Sequence, residues 1–248
     1  MPATEFTAGN YRFLPFAFQY SSGAAALPGF EIERVQFRKP VPLAEGFQRV
    51  EAHIRERGRP LTSFCACELR SPAQFSEQGF FDFNKRYVVT LEKWGVFDGK
   101  TNPVARSNVC PEIGAPAEPS FHAFSFTVPA AKPAPSFVIA GSGEARPGEG
   151  SYRERIVRFG ETGADALREK AAFVLDEMER RLGALGFTWA DTTATQVYTV
   201  YDLHPFLGSE IVRRGASRSG FTWHFARPPV QMLDYEMDCR GVAREFVV

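Results

Sequence analysis

Two arginines lie in matching contexts in the two halves of the sequence. Ala105-Arg106 in the first half is followed by Ala226-Arg227 in the second, an offset of 121 residues. A guanidinium group presents a planar fork of N–H donors that pairs with a carboxylate through two parallel hydrogen bonds. If each arginine opens a strand that faces a cleft, the pair predicts binding of an acidic small molecule. The alternative is that each arginine forms a structural ion pair at the surface.

Other residue types that can do chemistry give weaker indications. His224 comes just before Arg227 and either lines the same cleft or packs at an interface. Cys65 and Cys67 flank a single alanine, whereas zinc usually takes four ligands with wider cysteine spacing, and no matching His/Cys pair lies nearby. The sequence contains no glycine-rich phosphate loop before a helix and no HExxH motif. We therefore expect no metal site.

One strong amphipathic helix is predicted in the second half. Apolar residues recur at three- and four-residue steps from Leu167 to Leu185, which places them on one helix face. Arg180 and Arg181 lie near its C-terminal end, where the helix dipole favours cations. The other predicted elements are strands at 137–140, 152–159, 192–201, 225–232 and 234–240, and a shorter helix at 206–214.

The first half has the same predicted order of elements, β-β-α-β-α-β-β. Its strands are expected at 12–19, 30–37, 61–69, 104–109 and 120–128, and its helices at 43–54 and 80–94. Three landmarks of this half recur at an offset of 120 to 122 residues: Ser22-Gly23, the strand at 30–37 and Ala105-Arg106. Three matches in the same order indicate an internal duplication.

A proline-rich segment, PAAKPAP at 129–135, separates the two halves and is typical of a linker. It predicts one unit at residues 1–128 and a second unit at residues 136–248. Each unit is expected to be an α+β structure in which two helices pack on one face of a mainly antiparallel sheet.

Composition excludes several classes of function. The 248 residues include 29 basic and 29 acidic side chains without a basic stripe, which argues against a nucleic-acid surface. No apolar run approaches the roughly 20 residues of a membrane span. The N-terminus lacks the charged and apolar regions of a signal peptide. We expect a cytoplasmic protein with neither nucleic acid nor membrane as a partner.

Several segments resemble the Rid family, also called the YjgF/YER057c/UK114 family of enamine and imine deaminases. In the second half the similar segments are LGFTWADTTATQVYTVYDL at 185–203, FARPPV at 225–230 and YEMD at 235–238. In the first half they are YSSGAA at 20–25, FFDFNKRY at 80–87 and VARSNV at 104–109. Together the two halves cover nearly the whole chain.

The resemblance implies tandem chorismate-mutase-like units, threefold assembly, and sites in clefts between neighbouring units. It implies a hydrolytic deaminase that needs no metal, pyridoxal phosphate or flavin. The double-length chain is similar to members that act on 2-aminomuconate-type products of aromatic ring cleavage, chlorinated ones included. The expected partners are therefore a small amino-dicarboxylic acid substrate and further copies of the chain, with a trimer favoured.

The family also assigns roles to individual residues. Glu236 falls where the family has a carboxylate that positions the hydrolytic water, and His122 stands at the equivalent place in the first half. Ser22 and Ser142 match a serine that contributes a hydroxyl, and Asn84 matches a site asparagine. With Arg106 and Arg227 as carboxylate-binding groups, the two copies are expected to have divided roles. The structural alternatives are that Glu236 is an acid on a strand surface, that the two serines are turn residues, and that Asn84 is an amide on a helix surface.

A different class of function is compatible with the same residues. The clefts can bind a small acid, or contact a partner protein, without catalysing a reaction. Fold alone does not separate an enzyme from a binding module of this kind.

Overall fold

The computed structural model describes residues 2–248, which form five α-helices and thirteen strands in a mixed α+β arrangement. The helices are α1 (Leu43–Glu56), α2 (Glu77–Lys93), α3 (Tyr152–Arg155), α4 (Ala164–Ala184) and α5 (His204–Phe206). The strands are β1 (Thr4–Phe6), β2 (Tyr11–Phe13), β3 (Gly23–Ala26), β4 (Phe30–Pro42), β5 (Phe64–Arg70), β6 (Ala105–Pro111), β7 (Ser120–Pro129), β8 (Phe137–Gly143), β9 (Ala194–Tyr198), β10 (Thr222–His224), β11 (Ala226–Arg227), β12 (Glu236–Gly241) and β13 (Arg244–Val247). None of these helices is both long and apolar enough to span a bilayer.

The strands form two sheets with a common central arrangement. The seven-stranded sheet has the order β1-β2-β3-β8-β12-β9-β10, and the six-stranded sheet has the order β11-β6-β5-β7-β4-β13. Each contains a strand–helix–strand–helix–strand–strand segment, which gives the order β8-β12-β9-β10 in one sheet and β4-β7-β5-β6 in the other. In both segments a single parallel pair, β9 with β10 or β5 with β6, accompanies antiparallel neighbours.

Each half of the chain also extends the sheet of the other half. The N-terminal strand β3 pairs with β8, so β1, β2 and β3 complete the seven-stranded sheet. The C-terminal strand β13 pairs in parallel with β4, and β11 pairs with β6, so both belong to the six-stranded sheet. The division of the chain at 129–135 stays a prediction, and these exchanged strands tie the two halves together.

Three predicted strands differ from the observed elements. The segment 152–159 starts with helix α3, because the Glu154 carboxylate accepts a hydrogen bond from the Ser151 N–H and caps a helical turn. The strand predicted at 12–19 ends early because Pro15 has no N–H to donate. The strand predicted at 225–232 is reduced to β11 by Pro228 and Pro229 for the same reason.

The amphipathic helices pack on their sheets as their periodicity predicts. Helix α4 buries Leu167, Val174, Leu175, Met178 and Leu182 in the cluster that also contains Ile139 and Met237 from β8 and β12. Full burial of one such side chain contributes about 1.5–3 kcal/mol. Helices α1 and α2 pack on the six-stranded sheet through an aromatic cluster that includes Phe47, Phe83, Tyr87 and Phe124.

The two sheets meet along β6 and β8 through polar contacts. Ser107 on β6 donates a hydrogen bond of 2.5 Å to Asp238 on β12 and accepts one of 3.1 Å from the Gly141 N–H on β8. Asp238 also accepts hydrogen bonds from Gln196 and Tyr198. Ser107 therefore fixes the first half of the chain against two strands of the second half.

Candidate active site

A cleft of about 360 Å³ lies where the two sheets meet. The first half of the chain contributes side chains from β6, from α2 and from the loop after β2. The second half contributes β8, the start of β12, the inner face of α4 and the segment that contains α3. The polar residues that line the cleft are Gln19, Tyr20, Glu77, Asn84, Arg106, Asn108, Ser142, Arg146, Tyr152, Arg155, Glu177, Arg181 and Glu236.

Arg106 forms one wall of the cleft and is only 3% exposed. Its guanidinium carbon lies 4.9 Å from the ring centre of Tyr20 and 4.7 Å from that of Tyr87, with Phe80 and Phe83 each at 5.6 Å. Within residues 2–248 its buried Nη1 atom has no hydrogen-bond partner. A buried charged donor without a partner is unfavourable, so Nη1 is free to donate a hydrogen bond to an anion in the cleft.

Two amide side chains beside Arg106 are also incompletely paired. Asn84 projects from α2, and its buried Oδ1 has no partner in the described part of the chain. Asn108 accepts a 2.9 Å hydrogen bond from Ser71 through Oδ1, while its buried Nδ2 has no partner among residues 2–248. Both amides line the cleft and are available to a polar ligand.

Glu236, the first residue of β12, lies in the cleft and is 4% exposed. Burial raises the pKa of its carboxyl group well above the ordinary value, and the negative charges of Asp238 and Glu144 raise it further. The positive charges of Arg181 and Arg106 oppose this rise. The carboxyl group therefore holds a proton at a pH where an exposed glutamate has lost it.

Gly141 on β8 makes room for the Glu236 carboxyl group. A Cβ atom on residue 141 would overlap Glu236 Oε1 and would lie 3.3 Å from the Cα of Ser107. Because a substitution there must displace either Glu236 or the backbone of β6, glycine is the residue that fits this position.

Arg181 was assigned from sequence only to the end of a helix, yet it lines the cleft. Its Nε donates to Glu177 at 2.8 Å, its Nη1 to the Ala140 carbonyl at 3.1 Å and its Nη2 to Ser142 Oγ at 3.1 Å. Although burial opposes ionisation, the hydrogen bonds from Arg180 and Arg181 lower the pKa of Glu177 to about 2. Arg181 follows Met178 by three residues and so lies on the apolar face of the helix. A charged residue on that face was the sequence feature that could have indicated a site residue.

The segment around α3 closes another side of the cleft. Tyr152 and Arg155 line the cleft, and the Tyr152 N–H donates to Glu77 Oε1 on α2 at 3.1 Å. Burial raises the pKa of the Tyr20 hydroxyl, whereas the charges of Arg106, Arg181 and Arg155 lower it. Tyr20 and these three arginines all line the cleft.

Arg227 lies outside the cleft and does not meet Arg106 there. Its side chain is 33% exposed, and its Nε donates to Glu112 Oε2 at 2.9 Å. Ser22 is buried in the sheet, where its backbone pairs with Leu14 and Ala140. Of the predicted residues, the cleft therefore brings together Arg106, Glu236, Ser142 and Asn84.

His122 and His224 also lie outside the cleft. Burial lowers the pKa of His122 to about 3, and the charge of Arg70 contributes to this shift. The same two causes lower the pKa of His224 to about 4. The His224 ring stacks on Tyr198 with 5.0 Å between ring centres, and its Nε2 lies 3.2 Å from Gln196 Oε1. The lowered pKa values leave both imidazoles uncharged near neutral pH.

Within residues 2–248 the structure contains no group of three or more His, Cys, Asp or Glu side chains that could hold a metal ion. All four cysteines are buried and free. Cys67 packs with the helices and lies 3.3 Å from the Tyr87 hydroxyl, whereas Cys65 belongs to the cluster between the sheets. Cys65 and Cys67 are therefore separate core residues.

The cleft thus contains a buried guanidinium whose Nη1 has no partner among residues 2–248 and a buried carboxyl group whose pKa is raised. Comparisons with known proteins show the family of the chain. The family described as "2-aminomuconate deaminase CnbZ" matches residues 3–246. Over 248 residues, 99% of each chain, the sequence is 55% identical to 2-amino-5-chloromuconate deaminase from Comamonas testosteroni. The chain belongs to the 2-aminomuconate deaminase CnbZ family.

Membership in this family confirms the predicted enzyme class, a deaminase that acts on C–N bonds. Solved structures with partial similarity include the YjgF gene product from E. coli, with 21% identity over 44% of this chain and 81% of that chain, at a TM-score of 0.31. E. coli TdcF with bound serine has 18% identity over 43% of this chain and 80% of that chain, also at a TM-score of 0.31.

Proposed function

We propose that this chain hydrolyses a 2-aminomuconate-type enamine acid in the cleft between its sheets and releases ammonia. One observation carries the proposal: the Arg106 guanidinium, with its unpartnered Nη1, and the Glu236 carboxyl group, whose pKa is raised by burial, line the same cleft. The Arg106 guanidinium can pair with an acidic substrate, and the Glu236 carboxyl group can exchange protons with that substrate. The names of the family and of the Comamonas testosteroni relative supply the substrate class.

Binding starts with Arg106. Its two Nη groups pair with the carboxylate next to the amino-bearing carbon of the substrate. The Asn108 amide N–H and the Asn84 carbonyl oxygen, both without partners in the described chain, bind neighbouring polar atoms of the ligand. In this proposal Arg106 alone of the two repeated arginines binds the substrate, and Arg227 keeps its ion pair with Glu112.

Chemistry starts with the protonated form of Glu236. The carboxyl group gives its proton to a carbon of the dienamine, and the C–N bond becomes an iminium. A water oxygen then adds to the iminium carbon while the Glu236 carboxylate takes one proton from that water.

The resulting carbinolamine collapses with a second pair of proton transfers. Glu236 protonates the amino nitrogen, the C–N bond breaks and ammonia leaves, and the carboxylate takes the hydroxyl proton as the C=O bond forms. The products are ammonia and a 2-oxo acid, and Glu236 ends protonated as it began. Every step is assigned to substrate, water and this side chain, so we propose a reaction without a cofactor.

Ammonia release from freshly generated 2-aminomuconate tests the proposal. We expect turnover by the purified chain above the spontaneous rate in buffer, and a severe loss of turnover in Arg106→Ala. Arg227→Ala is the matched control, because it removes the same side chain from the same Ala-Arg sequence outside the cleft. Ammonia release that equals the buffer rate, or that is unchanged in Arg106→Ala, would contradict the proposal.

We also propose that the two halves arose by duplication, with units at 1–128 and 136–248, and that the chain assembles as a homotrimer in the cytoplasm. The common strand order of the two sheets supports the duplication. Light scattering coupled to size-exclusion chromatography tests the assembly, and a mass of three chains is the expected result.

A further inference from the structure

The cleft contains a second cation that is not neutralised by the protein. Arg155, the last residue of α3, lines the cleft on the side formed by the second half of the chain. Its Nε donates to the Gly150 carbonyl at 3.2 Å and its Nη1 to the Arg146 carbonyl at 3.1 Å. Both acceptors are neutral, and within residues 2–248 Arg155 forms no salt bridge. Its positive charge is therefore available to a ligand.

The guanidinium of Arg155 is held in place before any ligand arrives. Its carbon lies 4.6 Å from the ring centre of Tyr152, another residue of the cleft. The two carbonyl bonds use Nε and Nη1, which leaves Nη2 without a protein partner in the described chain. A preorganised donor loses little freedom when it binds, and this favours selectivity.

The other arginines of this wall are less suited to bind an anion. Arg181 donates to the Glu177 carboxylate, to the Ala140 carbonyl and to Ser142, so its charge is already balanced. Arg146 is exposed at the rim of the cleft. Arg155 is the half-buried cation that remains, and it comes from a different half of the chain than Arg106.

We infer that Arg155 binds the second carboxylate of a linear dicarboxylic acid whose first carboxylate is held by Arg106, and that it makes the cleft selective for dicarboxylates. Both guanidinium groups act on the Tyr20 hydroxyl, and Arg155 and Glu236 both act on the Tyr152 hydroxyl. Arg106, Arg155 and Glu236 all line this cleft. The inference rests on the proposed function for its substrate class and names the residue that recognises the far end.

Two stable ligands isolate the contribution of the second carboxylate. Muconate and sorbate share a six-carbon diene chain, and sorbate lacks one of the two carboxylates. Isothermal titration calorimetry on the full chain gives the Kd of each ligand without any turnover. We expect the unmodified protein to bind muconate at least about tenfold more tightly than sorbate, since one charge-assisted hydrogen bond is worth about that factor.

Arg155→Gln is the decisive variant, and Arg153→Gln is its matched control. Arg153 lies on the same short helix but is exposed and does not line the cleft. We expect Arg155→Gln to weaken muconate binding about tenfold or more and to leave sorbate binding unchanged. Arg153→Gln should change neither Kd. Arg155→Lys keeps the charge without the fork and should give an intermediate loss, which covers the case in which the glutamine variant does not fold.

The outcomes separate this inference from the proposed function. Equal losses for both ligands in Arg155→Gln, no loss for either, or no preference for muconate in the unmodified protein would each overturn the role of Arg155. A chain that prefers muconate through Arg155 but releases no ammonia from 2-aminomuconate would retain this inference and refute the hydrolytic proposal.

Discussion

Arg106 and Arg227 follow an alanine in the same way, but their surroundings are opposite. Arg106 lies on β6, an inner strand, and is enclosed by four aromatic rings without a partner for Nη1 among the described residues. Arg227 lies on the two-residue edge strand β11 and pairs with Glu112. A local motif therefore does not determine a binding site, because the residues that pack around it do.

The two arginine strands are also direct neighbours. β11 pairs with β6 in antiparallel register, with Arg227 opposite Cys110. The strand of the second arginine thus covers the edge of the strand that carries the first. In this arrangement the second copy of the motif supports the first copy structurally, and the comparison between them can be tested residue by residue.

The largest expected difference is between the carboxyl groups that accompany the two arginines. Glu236→Gln removes the proton-transfer group of the cleft and should lower kcat about 10³-fold, since acid–base groups contribute 10²–10⁴-fold. Glu112→Gln removes only the partner of Arg227 and should leave kcat within about twofold. Steady-state ammonia release measures both variants. Similar kcat values for both variants would contradict the assignment of proton transfer to Glu236.

A smaller effect is expected when each arginine is replaced by lysine. Lysine keeps the positive charge but cannot form the two parallel hydrogen bonds of a guanidinium. Arg106→Lys should therefore lower kcat/KM by about 10- to 100-fold, as loss of one charge-assisted hydrogen bond predicts. Arg227→Lys should have little effect. The opposite ranking would assign the substrate to Arg227.

The pH dependence of the reaction sharpens the role of Glu236 further. Because the proposed first step needs the protonated carboxyl group, kcat/KM should fall as the pH rises through its raised pKa. Asp238 raises that pKa by charge repulsion, so Asp238→Asn should move the alkaline limb to lower pH by about one unit or less. A limb that stays in place, or moves upward, in the pH–rate profile would contradict this electrostatic account.

The smallest expected effect is on thermal stability, and the raised pKa of Glu236 determines its direction. The pKa of Glu236 is higher in the folded chain than in the unfolded chain, so its contribution to stability is full at low pH. That contribution is lost as the pH rises from the ordinary glutamate range through the raised value. Glu236→Gln should therefore gain Tm relative to the unmodified chain as the pH rises, by about 2–4 °C per kcal/mol. Thermal denaturation at several pH values checks this trend.

Much of the secondary structure was predictable because it depends on local periodicity. The apolar steps from Leu167 to Leu185 located α4, and the strands predicted at 104–109 and 120–128 correspond to β6 and β7. The exchange of β3, β11 and β13 between the sheets was not predictable in this way. Pairing of distant strands depends on tertiary contacts that leave no periodic signal in the sequence.

The candidate site was predictable only in part. Arg106, Glu236, Ser142 and Asn84 followed from family motifs, and the structure brings them into one cleft. Arg155 was missed because its segment resembles an alternating strand, whereas a capping interaction makes it helical. Arg227 lies outside the cleft because β11 pairs with β6, a contact between segments that are far apart in the sequence.

The most direct test of the account is a crystal structure of the Glu236→Gln variant with bound muconate. We predict one carboxylate on the fork of Arg106, within hydrogen-bond distance of both Nη atoms, and the diene carbons beside residue 236. A carboxylate bound at Arg227, or muconate bound outside the cleft, would contradict the central claim that Arg106 and Glu236 form the site.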